Sequence, residues 1–362
     1  MNLSRRRLLG AAATVPLLGA IPATAAPRKP ALLYIGTWGR EELYGAYFDP
    51  VTGALTPAGV VAQVSSSWAV RHPVLPVLYV ASGEGAGIVH SYRIDGTDLT
   101  RTSEVSTGGS GTAGVLSHLA VHRKTLLVAN FTAGLVATAP IGRDGALGAP
   151  TSVVQDTGSG PNPRQAGPHP HHVTVDPSGR WALVADFGAD RVFSYRFDGT
   201  LSGSPNAYAT PPGSGPRRLV FQGNTAYLLN ELTADIHVLS WDPRAGELTL
   251  RETLSTDTPA YTGTKSAAEM VLSADARFLY VSNRGENALV VYAVTAGLTE
   301  IQRIPCGGVV PWSFSIHPGG RWLLVANQTS GTVNVFGVDP RSGLLTATGT
   351  ALAVPVPDGI TF

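Results

Sequence analysis

Three histidines lie within four residues of one stretch of the sequence, GPHPHHVTVD. They are His169, His171 and His172. Imidazole titrates near neutral pH, so it can take up or release a proton during a reaction. Two histidines two residues apart could also begin a zinc site, but the sequence offers no obvious third ligand and we expect no metal. The pattern predicts a general acid or base at His171, with His169 and His172 as candidate substrate contacts.

Later stretches supply charged groups with complementary chemistry. Arg217 and Arg218 lie in GPRRLVF, Glu231 lies in LLNEL, and Arg284 lies in SNRG. A guanidinium holds pairs of oxygen atoms in a fixed geometry, which suits a carboxylate or a developing oxyanion. A carboxylate can activate water or transfer a proton. The alternative for each residue is a salt bridge within the fold, and for Arg217 and Glu231 both interpretations can hold together.

These residues are positioned by a unit that repeats along the chain. An apolar strand that ends in a small polar residue occurs seven times, as in VLYVAS, WALVAD and WLLVAN. The copies lie 44 to 56 residues apart, about the length of a four-stranded propeller blade. The flanking runs are β-branched and aromatic and are bounded by Gly, Pro and Asp, which indicates strands. The closing residues of the seven copies are Thr37, Ser82, Asn130, Asp186, Asn230, Asn283 and Asn327.

The first copy lacks its opening strand. The stretch LLYIGT begins close to the start of the predicted mature chain, whereas PDGITF at the C-terminus aligns with PRRLVF of the fifth copy. We therefore predict an all-β, seven-bladed β-propeller in which the C-terminal strand, residues 357–362, completes the first blade and closes the ring. Closure removes the exposed sheet edges that promote aggregation. Residues 27–362 are predicted to form this single domain.

Antiparallel pairing gathers the candidate residues on one face. The start of the first strand of each blade lies beside the end of the second strand, because the two form a hairpin. Charged residues of different types at equivalent repeat positions predict a binding or catalytic site. The recurring Asn and Asp side chains are also suited to hydrogen bonds with the backbone of turns. The predicted rim residues are Ser117, His118, Asn130, His169, His171, His172, Asp186, Arg217, Arg218, Asn230, Glu231, Glu269, Asn283, Arg284, Trp312, Ser313, Asn327 and Gln328.

Composition excludes several classes of function. The 362 residues carry 26 basic and 25 acidic side chains, so the sequence shows no basic surface for nucleic acid. Cys306 is the single cysteine, which excludes an internal disulfide and a cysteine-rich zinc site. No G-x-S-x-G nucleophile elbow and no βαβ dinucleotide unit is found, so we expect neither a serine nucleophile nor a cofactor.

The N-terminus has the character of a targeting segment. Three arginines, Arg5 to Arg7, precede an apolar stretch and then the small-residue sequence ATA at residues 23–25. The run SRRRLL resembles a twin-arginine export signal. Residues 1–26 are therefore predicted to be recognised by the twin-arginine machinery, and the mature protein to be secreted or periplasmic. No later stretch is long and apolar enough to span a bilayer, and the oligomeric state is left open.

The motifs resemble those of the seven-bladed lactonase family, which includes propeller-type 6-phosphogluconolactonases and carboxymuconate cyclases. The matching stretches include LYIGTW, PHPHHVTVDPSGRWALVADFGADRV, GPRRLVF, LLNEL and SNRG, and the likeness runs from about residue 32 to the C-terminus. The resemblance implies a site that contains His169 or His171 together with Arg217, Glu231 and Arg284. The family often has histidine where this chain has Arg218, so the usual substrate is in question.

The resemblance implies a lactonase that opens a sugar or related lactone by general acid/base catalysis, and the predicted signal implies that it is exported. Water would attack the ring carbonyl and lose its proton to His171 or Glu231, while Arg217 and Arg284 would hold the oxyanion or a substrate carboxylate. Two alternatives stay open. One is a muconate-type lactonising isomerase, which uses the same groups in reverse. The other is a propeller without catalysis that binds a glycan or another ligand at the rim.

Overall fold

A computed structural model describes residues 31–362 except 84–86 and 109–114. Within these residues, 28 strands form seven antiparallel blades of four strands each. Blades one and two are also joined by a single bridge between Thr37 and Ser66. The all-β fold and the seven blades confirm the prediction from the repeats. The predicted export signal, residues 1–26, lies outside the described residues.

The strands follow the chain from blade to blade. Blade one contains β28 (Pro357–Thr361), β1 (Ala31–Thr37), β2 (Leu43–Phe48) and β3 (Leu55–Ala62), and blade two contains β4 (Ser66–Arg71), β5 (Val77–Ser82), β6 (Ile88–Asp95) and β7 (Asp98–Ser106). Blade three contains β8 (Leu116–His122), β9 (Thr125–Asn130), β10 (Leu135–Pro140) and β11 (Ser152–Gln155), and blade four contains β12 (Pro170–Val175), β13 (Trp181–Asp186), β14 (Arg191–Phe197) and β15 (Leu201–Ala209). Blade five contains β16 (Pro216–Gln222), β17 (Thr225–Asn230), β18 (Asp235–Asp242) and β19 (Glu247–Ser255). Blade six contains β20 (Ala267–Leu272), β21 (Phe278–Asn283), β22 (Ala288–Val294) and β23 (Leu298–Pro305), and blade seven contains β24 (Pro311–Ile316), β25 (Trp322–Asn327), β26 (Thr332–Val338) and β27 (Leu345–Ala353).

The C-terminal strand closes the ring. β28 pairs antiparallel with β1, placing Ile360 opposite Ile35 and Pro357 opposite Thr37. It also contacts β24 of blade seven and β4 of blade two, so the first strands of all blades form a closed circle. Blade one is therefore built from the two ends of the described chain, as the sequence alignment predicted.

The hydrophobic core lies between neighbouring blades. The second strands β5, β9, β13 and β21 are buried along their whole length, because a neighbouring sheet covers each of their faces. One cluster, for example, packs Leu229 and Ile236 of blade five against Met270 and Val281 of blade six. The outermost strands, such as β19, are mostly exposed. This gradient explains why the second strand has the clearest sequence pattern.

Each first strand contains a β-bulge close to its start. In β12, for example, Pro170 pairs with Asp186 and His172 pairs with Ala185, which leaves His171 as the additional residue. A bulge turns its extra side chain out of the normal alternation of the strand. The additional residues of the seven blades are Asp358, Ser67, Ser117, His171, Arg217, Ala268 and Trp312.

One short helical turn interrupts the β-structure described. The 3₁₀ turn Pro163–Gln165 lies in the connection between blades three and four. The side chain of Asn162 caps it by accepting a hydrogen bond of 3.0 Å from the backbone N–H of Arg164. Across the described residues, no helix has the length and apolar character needed to cross a membrane.

Candidate active site

The bulged side chains surround one cavity at the mouth of the central channel. The cavity has a volume of about 330 Å³ and lies on the face where the second strands end. All the bulge residues except Ala268 line it, and the carbonyl oxygen of Ala268 accepts a hydrogen bond of 2.8 Å from Nε of Arg217. The repeated backbone irregularity thus directs one side chain from almost every blade into a common space. The lining residues are Trp38, Ser67, Trp68, Val115, Ser117, Phe131, Arg164, His171, Arg217, Arg218, Trp312, Ser313 and Asp358.

Glu231 is the electrostatic centre of this region. It directly follows β17, and its side chain is almost completely buried. Oε2 accepts a hydrogen bond of 2.6 Å from Nη1 of Arg217. Oε1 lies 2.8 Å from Nη2 of Arg284 and 2.7 Å from Nη1 of Arg164. One carboxylate therefore holds three guanidinium groups that come from three separate parts of the chain.

The charges of this cluster determine its protonation. Burial alone would raise the pKa of Glu231, but the guanidiniums of Arg284, Arg217 and Arg164 outweigh burial and hold that pKa well below its usual range. Burial also lowers the pKa of Arg284 to about 10, although the charge of Glu231 opposes the shift. Glu231 is therefore an ionised anchor near neutral pH. Its expected role as the group that deprotonates water does not fit this environment.

His171 contacts the cluster through Arg217. Its Nε2 lies 2.5 Å from Nη1 of Arg217, and because a guanidinium only donates, the imidazole is the acceptor. Burial lowers the pKa of His171 well below its usual value, and Arg217 and Arg218 lower it further. His171 is therefore neutral near pH 7, and its Nε2 lone pair is engaged by Arg217.

A second buried ion pair lies at the cavity wall. Nη2 of Arg218 donates to Oε2 of Glu269 at 2.6 Å, and the guanidinium lies 4.3 Å from the centre of the Trp68 ring. Behind this pair, the rings of His118 and His172 are 4.1 Å apart. Burial lowers the pKa of both histidines well below their usual value. His118 and His172 are therefore neutral packing residues behind the cavity and do not line it.

Aromatic rings form much of the cavity wall. The centres of the Trp38 and Trp312 rings are 5.4 Å apart. The guanidiniums of Arg284 and Arg217 lie 4.5 Å and 5.3 Å from the centre of the Trp312 ring. Trp68 and Phe131 also line the cavity. Flat apolar surfaces beside fixed donors are suited to a small ring compound that carries polar oxygens.

Several predicted substrate contacts serve the loops instead. His169 stacks on Phe131 with ring centres 4.6 Å apart, and its Nδ1 lies 2.8 Å from the carbonyl oxygen of that residue. Oδ1 of Asp186 accepts from the backbone N–H groups of His169 and Ala189, both at 2.8 Å. The side chains of Asn130, Asn283 and Asn327 likewise bond neighbouring loops. None of these predicted substrate contacts lines the cavity. Asn130, Asp186, Asn283 and Asn327 are buried, so their recurrence at one repeat position reflects a shared structural role.

The structure adds residues that the predicted rim did not contain. Asp358 and Ser67 occupy the repeat position of His171 and Arg217, but in blades one and two, whereas the predicted rim covered blades three to seven. Trp68 is the next residue of blade two and corresponds to His172 and Arg218. Extending the repeat alignment to those blades would have found them. Arg164 lies on a 3₁₀ turn in a connection that does not repeat, so no sequence signal marks it.

The arrangement favours stabilisation of negative charge and proton transfer within a largely enclosed space. Oriented guanidiniums stabilise an oxyanion because their positions are set before the charge develops. Among the described residues, no three His, Cys, Asp or Glu side chains are grouped as a metal site would require.

Comparison with known proteins agrees with the fold. The family model "Lactonase, 7-bladed beta-propeller" matches residues 32–362. The chain belongs to this propeller lactonase family. Membership in the family identifies the protein as a lactone hydrolase.

Relatives cover nearly the whole propeller lactonase domain. The chain is 28% identical to a 6-phosphogluconolactonase of Bacillus subtilis strain 168 over 344 residues, which span 91% of this chain and 97% of the relative. The solved structure of the Pseudomonas aeruginosa periplasmic gluconolactonase PpgL is 32% identical, with a TM-score of 0.82 and coverage of 91% and 98%. A solved protein from Lactobacillus plantarum is 31% identical, with a TM-score of 0.85 and the same coverage.

Proposed function

We propose that this propeller lactonase is exported and hydrolyses a free sugar lactone in the cavity described above. The observation that carries the proposal is the clamp of Arg217 and Arg284 on the buried carboxylate of Glu231. The clamp lies beside Trp312, which lines both the cavity and the adjoining surface depression that contains Arg284. A lactone is an activated ester, so electrostatic stabilisation and one proton acceptor are sufficient chemistry.

The guanidiniums act on the charge that develops during ring opening. When water attacks the carbonyl carbon, the carbonyl oxygen becomes an oxyanion, and Arg217 offers positive charge and N–H groups at the cavity wall. Glu231 prevents the guanidiniums from moving apart and keeps them oriented before substrate binds. His171 accepts a hydrogen bond from Arg217 and orients its Nη1. In this mechanism Glu231 and His171 are positioning residues.

The arginines of the cavity are already engaged in ion pairs, and this favours an uncharged sugar as the substrate. Arg164, Arg217 and Arg284 share Glu231, and Arg218 is paired with Glu269. A phosphate group would need donors that are released from these ion pairs, whereas a neutral lactone uses the aromatic walls and the remaining N–H groups. The similarity to a periplasmic gluconolactonase and the twin-arginine-type sequence at Arg5 and Arg6 support the same substrate class.

A substrate panel tests the activity. The release of acid is followed with a pH indicator for gluconolactone, other free sugar lactones and a 6-phosphorylated lactone, with spontaneous hydrolysis subtracted. Lactonisation of a muconate takes up a proton instead, so the muconate is followed by the loss of its ultraviolet absorbance. We expect the highest kcat/KM for a free sugar lactone. A preference for the phosphorylated lactone overturns the substrate class, isomerisation of the muconate supports the lactonising alternative, and saturable binding without turnover supports the ligand-binding alternative.

Export is tested separately from activity. In cells that express the full chain, we expect the mature protein outside the cytoplasm with its N-terminus close to residue 27. The double substitution Arg5→Lys and Arg6→Lys is expected to retain the precursor in the cytoplasm. Unchanged export of this variant, or a mature protein that keeps residues 1–26, contradicts the proposed signal.

A further inference from the structure

We propose that Asp358 is the general base that deprotonates the attacking water, an inference that rests on the proposed lactone hydrolysis. Asp358 is the bulged residue of β28, the strand that closes the ring. Only 2% of its surface is exposed, yet its side chain lines the cavity. Its Oδ2 is buried and has no hydrogen-bond partner in the protein. A buried carboxylate oxygen without a protein partner, on a residue that lines the cavity, points to a water molecule or a substrate group as its missing partner.

The other acidic groups of the region are already occupied. Glu231 binds three arginines. Glu269 accepts hydrogen bonds from Arg218 at 2.6 Å and from the backbone N–H of Met270 at 3.0 Å. Among the described residues that line the cavity, Asp358 is the only carboxylate. The geometry therefore assigns it the proton-accepting role that the sequence suggested for Glu231 or His171.

The surroundings of Asp358 also tune its proton affinity. Burial raises its pKa to about 7, while Arg217 and Arg218 lower it, Glu269 raises it and a hydrogen bond from Trp312 lowers it. The strands packed against β28 are β1, β4, β24 and β25. Their titratable residues are Tyr34 and Arg71, which lie towards the other end of the blade. A base with a pKa close to the working pH combines a useful ionised fraction with sufficient basicity.

The proposed step balances in atoms and charge. The carboxylate of Asp358 takes one proton from water as the water oxygen forms a bond to the lactone carbonyl carbon, and the carbonyl electrons move to the oxygen. When the tetrahedral intermediate collapses, the bond between the carbonyl carbon and the ring oxygen breaks. The ring oxygen takes the proton back from Asp358 and leaves as a hydroxyl group. The product is a hydroxy acid, whose own proton dissociates into solution.

The test compares Asp358→Asn and Asp358→Glu with the wild type on the best free sugar lactone. Asparagine keeps the shape but cannot accept the proton, so we expect kcat to fall by about 100-fold or more with little change in KM. Activity of the wild type is expected to rise with pH through about 7, and this rise is expected to disappear in Asp358→Asn. Asp358→Glu is expected to recover part of the activity. The matched control is Asp275→Asn, which changes an exposed carboxylate that is paired with Arg277 outside the cavity. The kcat of this control is expected to equal that of the wild type.

A readout without turnover separates this inference from the proposed function. Difference infrared spectra of wild type and Asp358→Asn follow the protonated carboxyl of Asp358, which we expect to titrate near pH 7 and to shift when a hydroxy acid product binds. If the wild type opens lactones and Asp358→Asn is equally active, the inference is overturned and the function stands. If the wild type opens no lactone, the function is overturned. In that case, the inference is overturned as well if the carboxyl band of Asp358 titrates at an ordinary aspartate pKa. It is also overturned if the band does not shift when the hydroxy acid binds.

Discussion

Nη1 of Arg217 lies 2.6 Å from Oε2 of Glu231, and both side chains are almost completely buried. Arg217 is the bulged residue of β16, and Glu231 directly follows the end of β17. The hairpin of blade five therefore brings the two residues together. Breaking a buried ion pair by removing one partner leaves an uncompensated charge and costs about 3–5 kcal/mol. The pair therefore sets the position of the cavity's central guanidinium before any substrate arrives.

Arg217→Lys tests whether the shape of the guanidinium matters. Arg217 donates from Nε to the carbonyl oxygen of Ala268 at 2.8 Å and from Nη1 to His171 and Glu231. A lysine ammonium keeps the charge but cannot span these three acceptors. We expect kcat to fall by about 100-fold, similar to the loss of one oxyanion donor. Steady-state kinetics of this variant and of Arg277→Lys, an exposed arginine outside the cavity, provide the comparison. Equal losses in both would show that the guanidinium of Arg217 has no special role.

Arg164→Ala tests the least buried contact of Glu231. The Arg164 side chain is 54% exposed, and Glu231 keeps Arg217 and Arg284 when it is removed. Because Arg164 is half exposed and the buried Glu231 keeps its two other guanidinium partners, we expect the free energy of unfolding to fall by no more than about 1 kcal/mol. We also expect a kcat within tenfold of the wild type. Denaturant unfolding and kinetics measure both, and a loss as large as that of Arg217→Lys would contradict this ranking.

Ile360→Ala tests closure of the ring without altering Asp358. Ile360 is buried, pairs with Ile35 and packs in the cluster that joins blades one and seven. Removing a buried isoleucine side chain to alanine costs about 2–5 kcal/mol. The expected result is a lower urea midpoint, while Leu344→Ala, at an exposed leucine, is expected to change stability by less than about 0.5 kcal/mol. Matching midpoints for the two variants would argue against a stabilising terminal strand.

Asp156→Asn tests a buried acidic pair behind the cavity. Burial and the charge of Asp186 raise the pKa of Asp156 to about 8, and the hydroxyl of Tyr195 donates to its Oδ1. A raised pKa means that the protonated acid stabilises the fold, and that this stability is lost progressively as pH rises from the ordinary aspartate pKa to about 8. We expect the wild-type melting temperature to fall between about pH 5 and pH 8 and that of Asp156→Asn to fall less. Parallel curves would show that Asp156 does not titrate in this range.

The repeats predicted the scaffold because a buried second strand leaves a strong pattern. The described second strands end at the predicted residues, from Thr37 in blade one to Asn327 in blade seven, and the C-terminal strand completes blade one. Antiparallel pairing was sufficient to place His171, Arg217 and Glu231 on one face. These steps depend only on strand periodicity and hairpin geometry, which the sequence carries directly.

The sequence did not predict which of two adjacent residues faces the cavity. His171 faces the cavity, whereas His172 packs against His118 away from it, because the bulge in β12 breaks the alternation of the strand. A bulge has no clear signature in a single sequence, so neighbouring candidates could not be separated. The same limit applies to Arg164, whose position depends on a connection with no repeat. The repeat alignment was sufficient to predict the position of Asp358 in blade one. Its burial could not be predicted, because it depends on the packing of three blades.

The most direct test of the central claim compares Glu231→Gln with the wild type. Glutamine keeps the size of the side chain but removes the charge that holds Arg164, Arg217 and Arg284. With folding verified by circular dichroism, the measured quantity is kcat/KM for the preferred sugar lactone. A loss of at least about tenfold is predicted, since the arginines then repel one another without an anchor. An unchanged kcat/KM in the folded variant would contradict an active site organised by Glu231.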